Sequence, residues 1–328
     1  MATITVYSPN HKNTISIYSS VRPWQYVRDH EIRYISNRPG PDDSDILFME
    51  RPQWNEDIKM LLLWKAAGKK VWVDHDDNVY RLPEFNSLKD FYDSCADNIK
   101  IALTHADVVT TCSESTAREW RGICGKSEKV KVLPVRYSPD IYKIPDLHGI
   151  NERSQNKIIA WRGSNTHRGD LESVQNDLIK FFQDNRDWKM VFFGSGQNWL
   201  AEKIKGACVI ETLGFDEYMQ KLKDIAPSVM FIPWVPNIFN AGKSEIAFYE
   251  ATAVGAAFVC ARWGQYAKLP AVHYDGKISA YDALSMAVNN TAQSDALWLI
   301  AKDKMLYGEY HMRNATAIRE SIIRGLLS

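Results

Sequence analysis

The chain has 328 residues, of which 45% are hydrophobic and 24% charged, and its 40 basic and 40 acidic residues leave no net charge. This composition excludes an intrinsically disordered chain, and the neutral balance argues against a strongly basic surface for nucleic acid. The length predicts about two domains.

The first half of the sequence alternates short apolar runs, typical of buried strands, with longer stretches typical of helices. Strands are predicted at residues 4–7, 32–34, 46–48, 71–73, 108–111 and 130–133. Helices are predicted at residues 54–67, 87–104 and 115–124. The polar, turn-rich segment 141–156 then interrupts the alternation, and we interpret it as a linker between domains.

The same alternation starts again after this segment. Strands are predicted at 157–161, 189–193, 209–212, 229–232 and 257–261. Helices are predicted at 170–184, 198–205, 215–225 and 280–289. A further helix is predicted to begin near Lys243, and the tail 294–327 is also predicted to be helical. Two such series predict an α/β protein with two doubly wound, Rossmann-like domains, residues 1–140 and 157–300, that face each other across a cleft. Ligands are expected at the carboxyl ends of the strands, inside that cleft.

The segment around Lys243 and Glu250 carries the strongest functional signal. We predict that Lys243 lies in the first turn of a helix and that Glu250, seven residues later, faces the same side. The two residues would be about 10 Å apart along the axis. A helix N-terminus with a lysine suits phosphate, and a carboxylate two turns later suits ribose hydroxyls. This spacing predicts a site for a nucleotide-sugar.

Three turns at predicted strand ends in the second half support the same site. Backbone N–H groups at Gly163 and Ser164 can hold an anion, and Arg162 and Arg168 add donors with a geometry suited to phosphate. The predicted donor-binding residues are Gly163, Ser164, His167, Arg168, Gly194, Ser195, Asn240, Gly242, Ser244 and Glu250. Arg162 and Lys243 are predicted to act in catalysis by neutralising charge on a leaving diphosphate.

The first half contributes a cluster of acids directly after a predicted buried strand. This run resembles the acceptor domain of some GT-B glycosyltransferases, and the resemblance implies that Asp76 and Asp77 are catalytic residues that orient an acceptor hydroxyl or accept its proton. Two alternatives stay open for this run. It could be a capped turn with solvated aspartates, or Asp74, His75 and Asp76 could bind a metal.

These motifs together resemble the donor half of GT-B glycosyltransferases. The matching residues are Arg162-Gly-Ser with His167, the Phe-Phe-Gly194-Ser-Gly turn, and Lys243-Ser…Tyr-Glu250-Ala…Gly255-Ala. The pattern is similar to the mostly retaining group with a Glu-x₇-Glu signature, and the resemblance covers most of residues 157–262. It implies that Glu250, which matches the second Glu, contacts the donor ribose. The sequence departs from the group at Gly242, where the first Glu would stand, and at Ala247, where many members have lysine.

The resemblance implies a hexosyl- or pentosyltransferase that moves a sugar from a UDP- or GDP-sugar to a hydroxyl acceptor, with retention of configuration. It implies no catalytic metal and no tightly bound cofactor, and a C-terminal helix in residues 301–328 that packs back on the N-terminal domain. One alternative acceptor is DNA with hydroxymethylated bases, as in some viral members. An alternative of another class is a non-catalytic protein that binds a nucleotide or sugar.

Cysteine usage and hydropathy predict the cellular setting. The five cysteines are scattered and lack metal-binding spacing, which predicts reduced thiols and a cytoplasmic protein. No apolar run reaches the roughly 18 residues of a membrane span, so we predict no stable membrane insertion.

Overall fold

The computed structural model describes residues 1–9, 17–138, 140, 142 and 155–328. Most of the predicted linker 141–156 therefore lies outside the described residues. The described residues form two parallel six-stranded sheets with helices between most successive strands, which confirms the predicted α/β class.

The first sheet contains β1 (Thr3–Tyr7), β2 (Glu31–Ile35), β3 (Ile46–Glu50), β4 (Lys70–Asp74), β5 (Val108–Thr111) and β6 (Val130–Val132). Their order is β2-β1-β3-β4-β5-β6, and all six predicted strands are present. The second sheet contains β7 (Ile158–Arg162), β8 (Lys189–Phe193), β9 (Cys208–Ile210), β10 (Val229–Ile232), β11 (Ala257–Ala261) and β12 (Val272–Tyr274), in the order β12-β11-β10-β7-β8-β9. The strand order reverses between β1 and β3 and again between β7 and β10. Such switch points open a crevice at the carboxyl ends of the strands.

The part of the chain that the structure describes contains twelve α-helices. In the first half they are α1 (Asn55–Ala66), α2 (Lys89–His105) and α3 (Glu114–Cys124). In the second half they are α4 (Arg168–Glu172), α5 (Gln175–Asp184), α6 (Asn198–Ala201), α7 (Phe215–Ile225), α8 (Ile238–Ala241), α9 (Ile246–Ala253), α10 (Ala280–Asn289), α11 (Thr291–Leu306) and α12 (Met312–Leu327). Because helices cover the sheets, central strands such as β3 and β11 are buried along their whole length.

The last helix, α12, lies against the first sheet although it follows the second in sequence. Its residues Met312 and Ile323 share one buried apolar cluster with Ile4 and Trp24. The chain crosses between the two halves twice, and the crossings meet where Tyr137 pairs with His311. None of the helices in the described part of the chain is long and apolar enough to cross a membrane.

Three helix predictions need correction, and the one around Lys243 affects the site. Lys243 does not lie in the first turn of a helix, because the side chain of Asn237 caps a separate short helix, α8, and α9 begins only at Ile246. The predicted helix over residues 170–184 is two helices, α4 and α5. The predicted tail helix is also two helices, α11 and α12, and the predictions missed β12.

Candidate functional site

A cavity of about 430 Å³ lies between the carboxyl ends of the two sheets. The first sheet supplies Arg51, directly after β3, and Asp77, in the loop after β4. The second sheet supplies Arg162, Gly163, Ser164, Thr166, His167, Phe193, Gly194, Glu211, Thr212, Leu213, Phe215, Tyr218, Lys243 and Glu250. This is the position at which doubly wound domains bind ligands.

A smaller chamber of about 100 Å³ adjoins this cavity on the side of the acidic loop. The two spaces share Arg51, Asp77, Arg162, His167 and Lys243. The smaller one adds Ser19, Asp76, Ile232, Trp234, Ser244, Ile246, Ala247 and Tyr266. The structure therefore brings the predicted catalytic residues Asp76, Asp77, Arg162 and Lys243 to one connected space.

The turns after β7 and β8 pack directly on each other. The N–H of Gly163 donates to the carbonyl of Phe193 at 3.0 Å. Gly194 has a φ of 115°, and a Cβ there would overlap the carbonyl oxygen of Gly163. The absent side chain of Gly194 thus makes room for the neighbouring turn. Both glycines still line the large cavity.

Glu250 is held by two side chains from other elements. The Nε of Arg162 donates to its Oε2 at 2.8 Å, and the hydroxyl of Tyr218 donates to the same oxygen at 3.0 Å. Glu250 is 1% exposed. Burial raises the pKa of its carboxyl above the ordinary range, although the Arg162 charge and the two hydrogen bonds act in the opposite direction. A buried carboxylate with two fixed donors is a rigid group at the cavity wall.

Lys243 forms an ion pair with the opposite half of the molecule. Its Nζ lies 2.9 Å from Oδ1 of Asp77. Burial alone would raise the pKa of Asp77, but the charges of Lys243 and Arg51 hold it well below its usual range. Lys243 and Glu250 both line the cavity. Lys243 reaches it from the non-helical segment 242–245.

Arg51 links the two predicted catalytic acids. Its Nε lies 2.6 Å from Oδ1 of Asp76, and its Nη2 lies 2.8 Å from Oδ2 of the same residue and 3.3 Å from Oδ2 of Asp77. The bidentate contact to Asp76 is the strong, directional kind that a guanidinium forms with a carboxylate. Asp76 and Asp77 are therefore fixed in place and are not solvated surface acids.

Asp74 and His75 line neither space. The carboxylate of Asp74 accepts hydrogen bonds from the hydroxyls of Thr110, at 2.5 Å, and Ser20. The buried ring of His75 packs edge-on against Trp120. Within the part of the chain that the structure describes, no three His, Cys, Asp or Glu side chains are grouped as metal ligands.

His167 and Ser164 line the cavity from the turn after β7. Nδ1 of His167 lies 3.0 Å from Oδ2 of Asp170, and burial lowers the pKa of its imidazole despite this partner. The hydroxyl of Ser164 accepts a hydrogen bond from the N–H of Thr166, so it caps the short helical turn that follows. Ser244 lines only the smaller chamber, where its carbonyl accepts from the hydroxyl of Tyr266 at 2.8 Å.

Four of the predicted donor-binding residues are not among the described residues that line the cavity or the smaller chamber. Arg168 lies over the ring of Trp199 and pairs with Glu172 at 2.7 Å, because α4 turns it outward. The buried amide of Asn240 donates to Asp170 and to the carbonyl of Val235. The remaining two are Ser195, whose hydroxyl bonds to Thr212, and Gly242, which packs against Thr116.

Sequence reasoning missed several lining residues. Arg51 could have been found, since it directly follows a predicted buried strand and parallel strands end at one edge of the sheet. Tyr218 gave no such signal, because its hydroxyl reaches Glu250 from the first turn of α7, which is not at a strand end. The segment 211–213 lies at the end of β9, and three of its residues line the large cavity.

No protein-family model matches this sequence, and no curated protein sequence matches it. Similar solved structures include HepE from Anabaena in complex with UDP-glucose, with a TM-score of 0.68 and 11% identity over 99% of this chain and 100% of that chain. Sucrose-phosphate synthase from Thermosynechococcus elongatus has a TM-score of 0.71 and 10% identity over 100% and 99% of the two chains.

A third similar structure is an alpha-glucosyltransferase in complex with UDP and a 13-mer DNA that contains an HMU base. It has a TM-score of 0.66 and 12% identity, and the match covers 98% of this chain and 99% of that chain. The three similar proteins are GT-B glycosyltransferases. Similarity at these low identities establishes the fold, and the chain has the GT-B fold.

Proposed function

We propose that the protein is a glycosyltransferase that moves a sugar from a nucleotide-sugar donor to a hydroxyl acceptor. The observation that carries this proposal is the shared cavity between the two sheets, where Arg162 and Lys243 lie beside the Gly163 turn and opposite Asp76 and Asp77. Two cations beside a backbone turn suit a diphosphate, and two acids on the facing sheet suit a hydroxyl. The similar proteins bound to UDP or UDP-glucose support the same chemistry.

The donor diphosphate is assigned to the second-sheet side of the cavity. Arg162 and Lys243 neutralise the charge that builds on the leaving diphosphate, and this stabilisation is greater in the transition state than in the ground state. Lys243 exchanges its contact with Asp77 for the diphosphate. Because these two cations supply the neutralising charge, we propose a reaction without a catalytic metal, and turnover in the presence of a chelator tests this.

Glu250 is assigned to the donor ribose, the role of the second Glu in the Glu-x₇-Glu group. The protein is an atypical relative of that group. The first Glu of that signature is replaced by Gly242. A Cβ at this position would lie 2.5 Å from Oγ1 of Thr116, which belongs to the other half of the molecule. Close packing between the halves therefore accounts for glycine here. We propose UDP over GDP as the nucleotide, since UDP occurs in the similar structures, and a hexosyl transfer with retention.

The acceptor side is assigned to the first sheet. We propose an acceptor-binding domain over residues 1–140 and a donor-binding domain over residues 157–300, with the C-terminal residues 301–328 packed back on the acceptor domain. Asp76 or Asp77 orients the acceptor hydroxyl or accepts its proton. Closure of the two domains around the substrates limits the access of water, so that hydrolysis of the donor is slow beside transfer to the acceptor.

A DNA acceptor is the second candidate, and the similar alpha-glucosyltransferase bound to DNA with a modified base is the observation that favours it. Transfer of labelled glucose from UDP-glucose to a duplex with hydroxymethylated bases, beside an unmodified duplex, tests this candidate. Label on neither duplex, with label on a glycan or small hydroxyl compound, would reject DNA while leaving the glycosyltransferase assignment intact.

A thermal-shift screen across nucleotide-sugars tests the class of the protein. A donor that binds only the folded state raises the melting temperature. At a concentration of 100 times its Kd, it adds about 3 kcal/mol to the free energy of unfolding. We expect UDP-glucose or another UDP-sugar to give the largest shift and Lys243→Ala to remove most of it. Lys205→Ala, which changes an exposed lysine of the same half, is the matched control. Stabilisation by a donor without any release of its sugar would instead indicate a non-catalytic binding protein.

A further inference from the structure

Arg51 has an unusual backbone conformation at the end of a buried strand. Its φ is 46°, in the left-handed region that residues other than glycine rarely adopt. Its N–H donates to the carbonyl of Asp74 at 2.9 Å, so the chain is held at the end of β4 as it leaves β3. Such a conformation persists only where the surroundings enforce it, and it is found preferentially at functional sites.

The side chain of Arg51 is used almost entirely to hold acids. Two of its three guanidinium nitrogens, Nε and Nη2, form hydrogen bonds to Asp76 and Asp77. Nε also lies 3.8 Å from Oε1 of the buried Glu50. These directed contacts hold the Asp76 carboxylate by both of its oxygens. They leave Lys243 as the cation that approaches the acids from the second sheet.

The same guanidinium lines both the large cavity and the smaller chamber. We propose that Arg51 is a positioning residue for the transfer reaction, which fixes Asp76 and Asp77 so that they face the acceptor hydroxyl. This role rests on the proposed glycosyltransferase function. Catalytic groups must be held within about 0.5 Å of their productive positions, and a bidentate guanidinium does this better than a lysine, which is a single point charge.

The test compares Arg51→Lys with the wild type in two measurements. The first is the Kd for UDP by calorimetry, and the second is kcat for release of glucose from UDP-glucose, with water as the acceptor. We expect kcat to fall about 10- to 100-fold, because small displacements of reacting groups have effects of that size. The Kd for UDP should change by less than about threefold, since Arg51 acts through the acids.

Arg38→Lys is the matched control. Arg38 also forms an ion pair with an aspartate of the first half, through a 2.9 Å contact between its Nε and Oδ1 of Asp57, but it lines neither space. It should leave both measurements unchanged. Arg51→Gln, which keeps amide donors, serves as the second variant if the lysine variant unfolds, and circular dichroism monitors folding.

A double-mutant cycle separates positioning from general structural support. If Arg51 acts through Asp76, the kcat of the double variant Arg51→Lys/Asp76→Asn should be no more than about threefold below that of the less active single variant. Full additivity, an unchanged kcat in Arg51→Lys, or a Kd for UDP that worsens in step with kcat would overturn the positioning role. A wild type that neither binds nor cleaves any nucleotide-sugar would instead overturn the proposed function. One that binds without cleaving would remove the transfer on which the role of Arg51 depends.

Discussion

The ammonium group of Lys243 and the carboxylate of Asp77 are 2.9 Å apart, and this ion pair joins the segment before α9 to the loop after β4. The two residues have opposite consequences for an anionic ligand in the cavity between them. Lys243 attracts a diphosphate, whereas Asp77 repels it and competes for Lys243. Removing one or the other should therefore move donor affinity in opposite directions.

The first prediction is that Asp77→Asn binds UDP more tightly than the wild type. The substitution removes a negative charge from the cavity and frees Lys243 to bind the diphosphate. We expect the affinity for UDP to rise about 5- to 50-fold, which corresponds to about 1 to 2 kcal/mol of relieved repulsion. Lys243→Ala should lose about 10- to 100-fold. Isothermal titration calorimetry with UDP measures both. Turnover of Asp77→Asn should fall even as its affinity rises.

Glu84→Gln is the control for this pair, because Glu84 is a largely exposed acid of the same half and lines neither space. Its affinity for UDP should match the wild type. If Asp77→Asn weakened UDP binding, the assignment of the diphosphate to the space beside Lys243 would be incorrect.

The second prediction concerns the buried carboxylate of Glu250 and its two half-buried partners, Arg162 and Tyr218. Tyr218→Phe removes one hydrogen bond to the carboxylate and should lower the free energy of unfolding by about 1–2 kcal/mol. Glu250→Ala leaves the guanidinium of Arg162 without its buried partner and should cost about 3–5 kcal/mol. Urea unfolding at neutral pH measures both changes. Equal costs for the two variants would mean that the ion pair contributes nothing beyond the hydrogen bond of Tyr218.

The fold was more predictable than the site, and particular residues show why. Strands such as β3 and β11 are buried on both faces, so they appear in the sequence as continuous apolar runs. The contact of Arg51 with Asp76 depends instead on the register of two strands, in which Glu50 lies beside Asp74. A single sequence does not encode that register in any local pattern.

The position of Lys243 shows a second kind of limit. Its spacing to Glu250 fits one continuous helix, but the chain is helical only up to Ala241 and again from Ile246. Between the two helices, the carbonyls of Lys243 and Ser244 accept hydrogen bonds from Gln265 and Tyr266, which come from another element. The outward direction of Arg168 likewise depends on its contact with Trp199, which comes from another element. Residue type and spacing identify candidates for a site, whereas long-range packing decides which of them face it.

The third prediction tests the packing of the two glycine turns. Gly194→Ala would force a left-handed alanine to overlap the carbonyl of Gly163, and it should lower the free energy of unfolding by about 4 kcal/mol from strain and overpacking combined. Gly206→Ala is the matched control. Its φ of 79° is also left-handed, but nothing lies within 4 Å of the added Cβ, so backbone strain alone should cost about 1 kcal/mol. Similar costs by chemical denaturation would contradict close packing at Gly194.

The fourth prediction concerns two neighbouring buried groups that titrate in opposite senses. Burial and the nearby Asp76 charge raise the pKa of Asp74 from 3.8 to about 6, although Ser20, Thr110 and Arg319 act against this. Burial and the Arg51 charge lower the pKa of His75 from 6.5 to about 4, although Asp76 and Asp77 act against this. Each shift corresponds to about 3 kcal/mol of stability.

The signs of these two contributions are opposite. Because its folded pKa is raised, Asp74 stabilises the fold below about pH 4, and this contribution is lost as the pH rises to about 6. Because its folded pKa is lowered, His75 stabilises the fold above about pH 6.5, and this contribution is lost as the pH falls to about 4. Their contributions nearly cancel in the wild type between these limits.

Single substitutions should therefore expose each contribution by itself. In Asp74→Asn, the free energy of unfolding should rise by about 3 kcal/mol more than in the wild type between pH 4 and pH 6.5, because the contribution of His75 remains. In His75→Gln it should instead fall by about the same amount relative to the wild type over that range, because Asp74 remains. Urea unfolding curves at half-unit pH steps measure these slopes, and the difference from the wild type removes the groups that all three proteins share. If both variants followed the wild-type pH dependence, neither residue would be titrating in the buried setting that the hydrogen bonds of Asp74 and the packing of His75 describe.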